Sequence, residues 1–177
     1  MCRVLFVPLV AVALASSVTA HAQDHMEHQK HMALMAGDAR QLVNFPPQMR
    51  QHTLSNMRDH MQSLAEILAA LSRAQYTEAA QIAEARLGIN SPAADGCKVE
   101  SATSAPLMSK APSMELMMSL SMPEGMRAIG LQMHQAASAF VLEARQAAAT
   151  GDAKPALAAL SRVAAQCTAC HSSYRIQ

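Results

Sequence analysis

The densest group of reactive side chains is the stretch "C-T-A-C-H-S-S-Y-R", Cys167 to Arg175. On a helix, Cys167, Cys170 and His171 stand at i, i+3 and i+4 and project from one face. Two thiols and an imidazole at that spacing suit three chemistries: a dithiol redox pair, a zinc site, or covalent attachment of a haem. A redox dithiol belongs at a helix N-terminus, where the dipole lowers the thiolate pKa. This pair is expected at a helix C-terminus, and no βαβ pattern precedes it. A structural zinc ion needs four ligands. Outside the N-terminal leader only Cys97 is left among the cysteines, and no second Cys/His pair stands at ligand spacing in an ordered segment. In the third chemistry each thiol adds to a haem vinyl group and the adjacent imidazole ligates the iron, and Cys-x-x-Cys-His is the attachment signature for it. The expectation is one covalent haem c on Cys167 and Cys170, with His171 as the proximal iron ligand.

Helices must position such a site. The chain has 177 residues, enough for one domain. It is rich in Ala, Leu and Met, with 3% aromatics and no Trp, which favours helix over sheet. Leu54, Met57, Met61, Leu64, Leu68 and Leu71 recur at three- and four-residue steps, predicting a first helix over 47–71 with those residues as its apolar face. A second, shorter helix is predicted over 77–87, with Thr77 as N-cap and Gly88 as the stop. Residues 88–122 are Pro/Ser-rich, with one or two turns of helix expected over 113–120. A third main helix starts near Pro123, with Met126, Ile129, Met133, Ala137, Phe140 and Ala144 along its stripe, and Gly151 ends it. Asp152 then offers an N-cap for a fourth helix, whose Leu157, Leu160, Val163 and Ala164 lead towards Cys167. Four amphipathic helices without a credible strand predict an all-α, up-down-up-down four-helix bundle over 46–177. That topology brings the end of the last helix beside the start of the first.

Residues 1–22 read as an export leader: Arg3, an apolar run from Val4 to Ala15, and "A-H-A" at Ala20–Ala22 as the cleavage site. The run is too short to span a membrane. Export implies a periplasmic, oxidising compartment, with no stable membrane insertion after cleavage. The formal net charge of +1 offers no basic field for nucleic acid.

The C-terminal stretch and the bundle pattern together resemble the cytochrome c prime family and its low-spin relatives. "C-T-A-C-H-S-S-Y-R" is similar to that family's C-x-x-C-H-x-x-[YF]-R ending, and "M-R-Q-H-T-L", Met49 to Leu54, to its first-helix R-Q-x-x-[ML] pattern. The resemblance implies electron transfer or binding of NO and CO, and frequent homodimers. It maps the distal position onto Leu54, which cannot ligate iron. It also puts Arg50 near a propionate, and Arg175 near the proximal face. Met57, one turn beyond Leu54, carries a thioether that suits low-spin ligation. Met61, His52 and His60 rank behind it. The bland reading of Met57 and Met61 is core filling.

Residues 23–45 are expected as a mobile arm. Within it, His25, His28 and His31 with Met26, Met32 and Met35 form a candidate copper-binding segment. Met114 to Met122 repeats the methionine density. Cys97 is expected as a free thiol or an intermolecular disulfide. Nothing resembles a nucleophile–base pair. The expected function is therefore electron transfer to a redox partner protein or small-gas binding, not enzyme catalysis. The alternative is a periplasmic copper or stress-related metal-binding helical protein.

Overall fold

Pro46 and Pro47 open helix α1, Pro47–Ser72, where a missing N–H costs nothing. The helix stops at Ala74, which turns into the left-handed region at φ 57°. The computed structural model describes residues 37–98 and 113–177. The leader and the His/Met-rich part of the arm lie outside the described residues. Helix α2, Tyr76–Arg86, carries Glu78 in its first turn and Arg86 in its last, each at the end its charge favours. A short 3-10 turn follows at Pro92–Cys97. Helix α3, Met114–Ser121, is capped by the Ser113 hydroxyl, which accepts from the Leu116 N–H. Helix α4, Glu124–Thr150, begins after Pro123 and ends at Gly151, whose φ of 77° suits a residue without Cβ. Helix α5, Lys154–Ser173, follows at once. Its cap position is Ala153, yet the Asp152 carboxylate still accepts from the Lys154 N–H at 3.0 Å.

The described chain is mostly helical. Helix α4 packs along α5 and against α2, and α2 packs against α1. Phe140, Ile67, Leu87 and Val163 are fully buried in the main core that these four helices share. A second cluster gathers Val43, Phe45, Met49, Met118 and Met126 at the end where α1 begins.

Two expectations are corrected. A pair of strands exists: β1, Gln41–Val43, runs parallel to β2, Tyr174–Ile176, with Gln41 opposite Tyr174 and Val43 opposite Ile176. Three residues are too few to show a period of two, so the sequence pattern is silent. The pair ties the segment before α1 to the segment after α5, and brings those two helix ends together. The apolar face of α1 is also displaced. Met49, Thr53, Ser63, Ile67 and Ala70 are buried, whereas Met61 and Leu68 are 62% and 52% exposed. The inner stripe runs one residue behind the expected one. It contains small and hydroxyl side chains that helix neighbours tolerate: Ser63 donates to the Asp59 carbonyl at 2.6 Å, and Thr53 to the Met49 carbonyl at 2.8 Å.

Candidate functional site

Cys167, Cys170 and His171 lie on the last turns of α5, as the spacing predicts. Cys167 packs against the main core and Cys170 against the second cluster, so the motif bridges the two. His171 is exposed, and its carbonyl accepts from the Arg40 guanidinium at 3.2 Å. All three residues line one partly open cavity of about 170 Å³. Facing them are His52, Thr53, Met57 and His60 of α1. Helix α4 supplies Met126, Ile129, Met133 and His134, and α3 and its C-cap supply Met118 and Met122. The walls are thus mainly thioether and hydrocarbon, with the imidazoles of His52, His60 and His134 set among them. A concave, mainly apolar lining with a few polar groups is the usual character of a ligand site.

The structure sorts the distal candidates. Met57 lines the cavity. Leu54 does not; it borders a shallow groove on the adjoining face with Arg58 and Gln62. Arg50 is exposed on the first turn of α1, and Arg175 sits in β2 opposite Leu42. Neither lines the cavity. His52 does, but its Nε2 is already engaged with the Asn56 amide at 3.2 Å. The copper segment His25–Met35 lies outside the described residues.

Three cavity residues carry more weight than their sequence context suggests. His60 falls on the inner face because the true stripe is shifted by one residue. Its Nε2 is buried and has no hydrogen-bond partner. His134 meets it edge to face, ring centroids 5.6 Å apart, and its Nδ1 donates to the Leu87 carbonyl at 2.8 Å. Cys97 reaches the same cavity from the 3-10 turn, its Sγ seated over Gly130, where a Cβ would lie 2.6 Å away. Loop residues of this kind carry no periodic signal. That seat within the cavity disfavours the intermolecular disulfide. It also gives the cavity three thiols and His171, the donor count the zinc reading lacked. Among the described residues, however, no three such side chains converge as a metal site.

Electrostatics keep these groups neutral. Burial pushes the Cys97 thiol up to about 11, with the Cys170 charge adding to the effect. Burial also raises Cys167, and raises Cys170 with Cys167 contributing. Raised thiols are the opposite of what a dithiol redox pair requires. Burial lowers His60 from 6.5 to about 4, helped by His134, while Asp59 opposes and Arg86 assists weakly. Burial likewise lowers His134, opposed by its bond to Leu87.

A depressed imidazole pKa means that the unfolded chain takes up protons first as pH falls. His60 stabilisation is complete above 6.5 and is lost as pH drops towards 4. The expected loss at pH 4 is about 3 kcal/mol from His60, with His134 adding in the same direction. Urea unfolding at pH 7 and pH 4.5 checks this. His60→Gln should flatten the profile; an unchanged slope would contradict it.

Comparison of the chain with protein-family models, with curated proteins and with solved structures finds no match.

Proposed function

We propose that this chain is an exported monohaem c-type cytochrome, a four-helix bundle whose haem is bound through Cys167 and Cys170 and ligated by His171. The observation that carries the reading is the cavity those three residues share. The thiols and imidazole stand together on one helix, as covalent attachment needs, and the facing walls are mainly apolar, as porphyrin faces need. When bound, the haem supplies a one-electron couple and an iron face for small neutral gases.

The chain's own residues then have separable tasks. The methionines of α1, α3 and α4 exclude water and keep the pocket weakly polar, which disfavours anionic ligands. The β1–β2 pair and the Arg40–His171 contact fix the end of α5 against the start of α1. The role is gas binding or electron transfer with a partner protein, in the periplasm, without bond-making catalysis. A second reading has one observation in its favour: Met57 stands on the cavity wall. Its thioether would then serve as an iron ligand, and the protein would carry electrons only.

The absorption spectrum of the reduced protein, with and without CO, separates the two. An open iron gives a broad high-spin spectrum that CO converts to a sharp one. A sharp α band indifferent to CO supports Met57, and Met57→Ala should then turn the haem high-spin.

A further inference from the structure

Among the described residues three cysteines are free, and the haem reading uses only Cys167 and Cys170. Cys97 comes off the 3-10 turn, and its Sγ rests on the bare backbone of Gly130 in α4. Cys170 packs on the cluster that holds Met126, one turn before Gly130 on the same face of α4. The two cysteines thus reach one cavity at neighbouring turns of a single helix. Cys167 packs on the main core instead, and its thiol donates to the Val163 carbonyl at 3.5 Å. Of the two thiols on α5, Cys170 is the one whose charge reaches Cys97. No three donors converge as a metal site among the described residues, so a shared ion does not explain the grouping. A pair of thiols does. Burial holds the Cys97 thiol up at about 11. A thiol that resists ionisation attacks slowly, and it is also a poor leaving group from a disulfide. That chemistry suits a standing bridge rather than a dithiol that turns over.

We propose that Cys97 and Cys170 close a disulfide in the haem-free chain, which ties the 3-10 turn to the end of α5 and withholds Cys170 from attachment until it is reduced. The bridge stands apart from the haem reading; its block on attachment rests on that reading. Each thiol gives up one proton and one electron as the two sulfurs join. A small disulfide such as oxidised glutathione takes both and leaves as two thiols. A thiol reductant reverses the step. In the haem-bound chain Cys170 is already a thioether, and Cys97 stays a free thiol.

The test uses the full chain made without haem maturation and equilibrated with oxidised and reduced glutathione. It is then alkylated, digested and mapped by mass spectrometry. In native buffer the Cys97–Cys170 peptide should be the main bridged species. In urea the Cys167–Cys170 peptide should replace it, because a short loop closes at lower entropic cost. Cys97→Ser should lose the native bridge completely. A native chain with Cys97 alkylated and Cys167 joined to Cys170 would overturn the proposal. So would a native map that matches the urea map, which is also what a haem-free chain unable to fold would give. Reduced haem is then offered to the bridged chain and to the same chain after dithiothreitol. Haem held by two thioethers should form on the reduced chain and not on the bridged one; equal attachment to both would overturn the block. A mapped bridge with no attachment to either chain would support the bridge and count against the haem reading alone.

Discussion

Cys167→Ser/Cys170→Ser, expressed with c-type maturation machinery, should yield a chain with no covalently held haem. Each single variant should retain attachment through the remaining thiol, with a shifted absorption band because one vinyl group stays unsaturated. The expected loss in the double variant is complete, since no other thiol stands in the motif spacing that lets one helical turn meet two porphyrin edges. Cys97 shares the cavity but comes from a different element, so it cannot replace either partner in register. Haem staining of a denaturing gel reads the result. Retention of haem by the double variant would break the link between the motif and the cofactor.

The second large effect lies in the packing. Phe140→Ala should cost about 3–5 kcal/mol, measured as a fall in the urea midpoint at constant slope. Phe140 is 0% exposed in the core that α1, α2, α4 and α5 share. The core around it is built mostly of alanines, which have no side chain long enough to fill the space. Leu142, two residues on, is 66% exposed, and Leu142→Ala should change stability by less than about 0.5 kcal/mol. Similar losses at both sites would mean that α4 is oriented differently. A domain of this kind has about 5–15 kcal/mol in total, so the Phe140 variant should unfold well before the wild type.

These particulars also show where the sequence is readable. Helices with a dominant large-apolar stripe and clear stops are legible: α4 has Met126, Met133 and Phe140 inward and Gly151 at its end, and both features appear as expected. Helix α1 is legible in extent but not in rotation. Its inner positions 53, 63 and 70 are Thr, Ser and Ala, whose size fits a close helix contact, while larger Leu and Met side chains occupy the next stripe. Counting large apolar residues therefore selects the wrong face by one position. That single step separates Leu54 from the cavity and brings His60 onto it. The catalogue of reactive residues at the C-terminus needs no tertiary information, because Cys167, Cys170 and His171 are neighbours on one helix. Cys97 and His134 join them only through packing between elements distant in sequence, which no local pattern records.

The most direct measurement is the intact mass and pyridine haemochrome spectrum of the protein purified from its exported form and fully denatured. The account predicts a chain heavier by one haem, with the spectrum of a haem joined through two thioethers. A denatured chain with the mass of the polypeptide alone, and no haem absorption, would contradict it and favour the alternative of metal binding by the His/Met segments.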